Sequence, residues 1–97
     1  MRVVAKKVLR AFWMKHNDCK EQLKTWHKET NEALWDSPND IKKEYPSASI
    51  VAGNRVVFNI KGNAYRMVIK VNYKYKILWI RFIGTHKEYD KIDCSII

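Results

Sequence analysis

Acidic side chains are scarce in this 97-residue chain: ten Asp and Glu stand against nineteen Lys and Arg, a formal charge of +9 with the three histidines neutral. So few carboxylates leave no cluster from which a metal cage is built. The histidines, at 16, 27 and 86, share no ligand spacing, so neither a metal nor another cofactor is expected. Cysteine is nearly absent. Cys19 and Cys94 make no disulfide framework and have no Cys or His at a zinc-type spacing. The three glycines, Gly53, Gly62 and Gly84, are isolated, which excludes a glycine-rich phosphate loop. No apolar run exceeds four residues, too short for a membrane-crossing helix. The opening MRVVAKKVLR lacks the roughly 7–15 apolar residues of a secretory leader, so a cytoplasmic location with reduced thiols is expected.

What is present suits one small globular domain spanning residues 1–97, with one modest core. No polar or Pro/Gly-rich stretch reads as a linker. The charge is uneven. Residues 1–54 hold ten Lys/Arg against seven Asp/Glu, and residues 55–97 hold nine against three, so the surplus is three in the first half and six in the second. A basic surface of this kind attracts polyanions such as RNA, DNA or an acidic protein.

The periodicity changes along the chain. Residues 1–5 are short and β-branched and read as a strand. Val8, Leu9, Phe12 and Trp13 recur at helical spacing up to about His16. Asn17 and Asp18 offer a cap for a second helix. Its apolar stripe is Cys19, Leu23, Trp26, Thr30, Ala33 and Leu34, while Lys20, Glu21, Lys24, Lys28 and Glu32 face water. Ser37-Pro38 starts a short helical turn through Ile41 to Tyr45. Residues 46–54 read as a loop. A three-strand meander follows at 55–60, 64–73 and 77–83, by alternation of side chains. Its apolar face is Val56, Phe58 and Ile60, then Tyr65, Met67, Ile69 and Val71, then Leu78, Ile80 and Phe82. The other face carries Asn59, Lys61, Arg66, Lys70 and Arg81, four cations without a carboxylate, and Trp79 lies beside Arg81. The expected class is α+β, an N-terminal helical hairpin on a small antiparallel sheet.

Candidate chemistry concentrates after the last strand, in Thr85-His86-Lys87-Glu88-Tyr89-Asp90. Cleavage within an RNA strand needs a base for the 2′-hydroxyl, a partner for the phosphate charge, and an acid for the 5′-oxygen. His86, whose side chain ordinarily titrates near neutrality, suits base or acid. Arg66 and Arg81 offer fork-shaped donors for the phosphate. Tyr89, three residues beyond His86, sits on the same side of a turn or helical start and suits stacking or proton transfer. Lys87, Asn59, Lys61, Lys70 and Trp79 complete the expected RNA-binding surface. Glu88 and Asp90 read as surface groups, either of which can orient His86 or Lys87. His16 and His27 read as packed or surface histidines. Trp13, Trp26 and Trp35 read as core. The basic side of the first helix, Lys6, Lys7, Arg10 and Lys15, reads as a solvated helix face rather than a phosphate contact. A non-catalytic RNA- or ribosome-binding module using the same sheet is the alternative, and a DNA-binding role lacks a recognition helix.

The segments Val57-Phe58-Asn59-Ile60-Lys61-Gly62-Asn63-Ala64-Tyr65-Arg66 and Ile80-Arg81-Phe82-Ile83-Gly84-Thr85-His86-Lys87-Glu88-Tyr89-Asp90 resemble the HigB group of RelE-like toxins. The resemblance implies the RelE-like α+β fold and a ribosome-dependent, metal-independent mRNA endonuclease that cuts in the 30S A site and blocks translation. It implies a HigA-type helix-turn-helix antitoxin as partner, with DNA contacted only through that partner and no membrane involved. By position it places Arg66 at the arginine of the second meander strand, His86 at a basic catalytic position and Tyr89 near a C-terminal tyrosine. Asn59 stands where some relatives carry lysine, a departure from a lysine-rich mechanism.

Overall fold

A computed structural model describes all residues, 1–97. The order is β1 (Arg2–Val4), α1 (Lys6–Lys15), a 3-10 turn (Asn17–Cys19), α2 (Lys20–Glu32), α3 (Pro38–Glu44), β2 (Ser49–Val51), β3 (Arg55–Ile60), β4 (Tyr65–Asn72), β5 (Ile77–Thr85) and α4 (His86–Tyr89). The fold is α+β, as expected. Its sheet has five strands in the order β1-β5-β4-β3-β2, and it is mixed rather than wholly antiparallel. β1 runs parallel to β5, Val3 against Leu78, because the intervening helices carry the chain back over one face before β5 is laid down. β2, read as loop from sequence, pairs antiparallel with β3, Ile50 against Val56. Three residues give too little alternation to register as a strand.

The helices cover one face. Leu9, Trp13, Cys19, Leu23 and Trp26 pack with Val56, Phe58, Ile60, Met67, Ile69 and Leu78 in one core. Trp26 meets Phe58 edge to face with centroids 5.5 Å apart, and Trp35 is buried as well. The second helix stops at Glu32, earlier than its stripe implies. The chain then runs extended, so Ala33 and Trp35 point inward and Leu34, assigned to the stripe, is 75% exposed. Asp18 does not cap α2; its carboxylate instead accepts from Tyr65 Oη at 2.9 Å, a tertiary bond that competes with capping.

β5 holds the main departure. Val68 pairs with Phe82 and Ile69 with Ile80, which leaves Arg81 as the extra residue of a β-bulge. Beyond it the alternation inverts. Ile83, not Phe82, packs against the core and meets α1 near Val8 and Phe12, while Phe82 turns to the opposite face, toward Tyr89.

That opposite face is partly roofed. Val57 and Val68 point away from the helices yet are only 2% and 0% exposed. The C-terminal segment reaches over this side, where Arg55 Nε donates to Ile97 O at 3.0 Å. Arg55 is thereby occupied. No helix is long and apolar enough to cross a membrane.

Candidate nucleic-acid cleavage site

The local sequence dictates where α4 begins. Thr85 is extended and forms a capping box: Glu88 N donates to Thr85 Oγ1 at 3.1 Å, and Thr85 N donates to Glu88 Oε1 at 2.8 Å. Two otherwise orphaned donors are satisfied reciprocally. The bonds from Thr85 hold the Glu88 carboxyl below its usual range. Glu88 is thus a structural cap, not a loose surface acid. A third bond ties α4 to the β3–β4 turn, His86 N donating to Ala64 O at 3.2 Å. Thr85→Ala is expected to loosen α4 by about 1 kcal/mol, the usual worth of a side-chain cap. Amide exchange at Glu88 reads it, and unchanged protection there would contradict the cap's role.

Gly84 precedes this cap and is buried, opposite Arg66 in register. A Cβ on it would lie 2.8 Å from Phe82 Cζ and 3.0 Å from Glu88 Oε1. The missing side chain lets the Phe82 ring and the cap sit against the strand. Gly84→Val is expected to destabilise by about 1–3 kcal/mol, the usual range for overpacking, read by urea denaturation. Wild-type stability would show that Phe82 and α4 yield freely.

One turn of helix then brings the acid–base groups together. His86 Nδ1 lies 3.2 Å from Asp90 Oδ2. The i, i+4 spacing thus places a carboxylate beside the imidazole, where it can orient the ring. The rings of His86 and Tyr89 have centroids 6.4 Å apart, and Phe82 supports Tyr89 from 6.3 Å. Tyr89 Oη donates to Cys94 Sγ at 3.3 Å. That bond, reinforced by partial burial, pushes the phenol above its ordinary value against the opposing pull of Arg66. Tyr89 therefore stays protonated at physiological pH. Arg66 reaches across from β4, its Cζ 4.9 Å from the Tyr89 ring centre, a cation–π contact that also keeps the guanidinium in place. Its Nε is buried with no hydrogen-bond partner, a donor that native structures seldom leave unfilled.

His86, Tyr89 and Arg66 thus converge. Asn59 pairs with Arg66 in register, one strand farther out, and exposed Lys61 lies on the β3–β4 turn that contacts α4. Lys87 is exposed on α4. The remaining expected residues lie elsewhere. Lys70 and Trp79 pair with each other and line a separate hollow beside Asn54, Tyr73 and Lys74. Four residues along β4 put Lys70 about 13 Å from Arg66. Arg81 is exposed at the bulge and does not follow the alternation that grouped it with Arg66. Phe82, Gly84 and Cys94 escaped the sequence reading; the bulge and the return of the C-terminal segment bring them in. Asp90 had its signal in the i, i+4 spacing from His86. No group of three or more His, Cys, Asp or Glu side chains is arranged to hold a metal ion.

Comparison with known proteins identifies the relatives of the chain. Residues 19–92 match the family described as HigB_toxin, RelE-like toxic component of a toxin-antitoxin system. The chain is 28% identical over 92 residues, 93% of its length and 88% of the relative's, to the mRNA interferase toxin HigB of Escherichia coli (strain K12). It is similar to the same extent to proteins named mRNA interferase HigB from Escherichia coli O157:H7 and Shigella flexneri.

Proposed function

The chain belongs to the HigB family of RelE-like toxins, the toxic components of toxin–antitoxin systems, and from that premise we propose that it is an mRNA endonuclease whose chemistry resides at the β5–α4 junction. The observation that carries the proposal is the convergence of His86, Tyr89 and Arg66 beside one another. In this reading an RNA phosphodiester lies against the imidazole, the phenol and the guanidinium. His86 Nε2 takes the 2′-hydroxyl proton, and the 2′-oxygen attacks phosphorus. The bond from phosphorus to the 5′-oxygen breaks, and the Tyr89 phenol gives its proton to the leaving oxygen. Arg66 balances the charge on the non-bridging oxygens. The products are a 2′,3′-cyclic phosphate and a 5′-hydroxyl, and no metal enters any step. Asn59, Lys61 and Lys87 guide the strand into place, with Lys70, Trp79 and Arg81 as outlying contacts.

The substrate in this proposal is mRNA held in the 30S A site, which presents a single strand at fixed geometry. The relatives' names support mRNA as the target. The partner is a HigA-type antitoxin, whose family role is to restrain the toxin, and the setting is the cytoplasm. The test is primer extension on mRNA from cells expressing the toxin, repeated with purified ribosomes and with naked mRNA. Cuts confined to the ribosome-bound message are expected. Equal cutting of naked mRNA would remove the ribosome from the proposal.

A further inference from the structure

The groove between α1 and α2 gathers five cations, and the chemistry above does not use it. It has a volume of about 440 Å³ and is lined by Lys6 and Arg10 from α1 and by Lys20, Lys24 and Lys28 from α2. No carboxylate lines it, and neither ion pair of the chain involves these five cations. His27, also in the wall, is held below its ordinary value by burial and then by the charge of Lys6. The cations form two rows at i, i+4 spacing, with a step of about 6 Å along each helix. Like charges at that spacing weaken a helix. Two such rows facing each other are therefore a cost to the free toxin, relieved by a partner with opposite charge.

The groove is not purely ionic. Trp13, only 6% exposed, contributes to its wall, and Met14 stands beside it at 75% exposure. A nucleic-acid backbone has no apolar group to match these two. An amphipathic helix has. We propose that this groove receives an acidic helical segment of the antitoxin, with carboxylates at i, i+4 answering the two cationic rows and one apolar side chain covering Trp13 and Met14. The proposal rests on the family assignment, which supplies the antitoxin, and is independent of the residues assigned to cleavage. The groove opens on the helical layer, whereas Arg66 and Tyr89 meet on the sheet's opposite face.

The experiment titrates the full-length toxin with the purified antitoxin of its own operon, by calorimetry at two salt concentrations. Lys24→Glu/Lys28→Glu is compared with Lys15→Glu/Lys43→Glu, which carries the same change in net charge elsewhere on the surface. Reversal in the groove is expected to weaken the complex roughly 100-fold or more and to flatten its salt dependence, as loss of close interfacial charge pairs does. The control pair is expected to change affinity less than about threefold, the scale of rim charges. Cleavage of mRNA by the free toxin should be unchanged in both. A neutral pair, Lys20→Gln/Lys24→Gln, gives a gentler version if charge reversal disturbs α2, with an expected loss of about tenfold. Wild-type antitoxin affinity in a folded groove variant would overturn the proposal. So would loss of cleavage with affinity retained, which would make the groove an RNA surface instead.

Discussion

His86→Ala is expected to stay folded and to lose about 10²–10⁴-fold in mRNA cleavage, the usual worth of a general acid or base. Its side chain is half-exposed, and its protein partner is Asp90 on the same turn, so removing it opens no cavity in the core. The helix keeps its cap, because Thr85 and Glu88 hold the first turn without the imidazole. Circular dichroism checks the fold, and single-turnover cleavage of ribosome-bound mRNA checks the rate. Tyr89→Phe keeps the ring against Arg66 and Phe82 and removes only the proton, so a smaller loss is expected. A folded His86→Ala protein that cleaves as wild type would move the chemistry off α4. One that binds ribosomes normally and cleaves nothing would mark a catalyst, since a mere RNA-binding module has no cleavage for the substitution to remove.

Arg66→Ala is expected to lower the cleavage rate about 10²–10³-fold, as loss of one donor to a developing oxyanion does. Its guanidinium is held over Tyr89, so it meets the phosphate without searching for its position. Binding of a single-stranded RNA oligonucleotide should also weaken, with its salt slope reduced by roughly one unit or less. Arg66→Lys should recover part of the affinity and little of the rate, because an ammonium cannot offer two parallel donors. Unchanged rate and salt slope in Arg66→Ala would remove this residue from the site. The same salt measurement on Arg81→Ala tests the bulge. Its exposure there leads to the smaller effect of an outlying phosphate contact.

Much of this was legible in the sequence where the physics is local. The alternation at Arg55–Ile60 and Tyr65–Asn72 marks two strands because every second residue is forced into one core. His86, Tyr89 and Asp90 can be grouped from spacing alone, since one helical turn brings them together. Arg66 joins them through strand register, which sequence patterning alone leaves open; its place among the cations of the polar sheet face marked it without pairing it to His86. Arg81 was grouped with Arg66 because strict alternation runs straight through the bulge, and Ile83 and Phe82 exchanged faces for the same reason. Leu34 read as core because a helical stripe continues on paper after the helix has ended at Glu32. The roof over Val57 and Val68 left no periodic trace, as residues 90–97 return over the sheet without regular structure. Lys70 and Trp79 share a basic face with the site in the sequence, yet length along the strand sets them apart from it.

The chemistry of the cut ends tests the central claim most directly. A short mRNA cleaved on ribosomes by the purified toxin should carry a 2′,3′-cyclic phosphate, or the 3′-phosphate formed from it, on the upstream fragment and a 5′-hydroxyl on the downstream one. That pattern follows from attack by the 2′-oxygen with His86 and Tyr89 moving the two protons. A 3′-hydroxyl paired with a 5′-phosphate would mean that water attacked phosphorus from the other side, and it would contradict the roles assigned to His86, Tyr89 and Arg66.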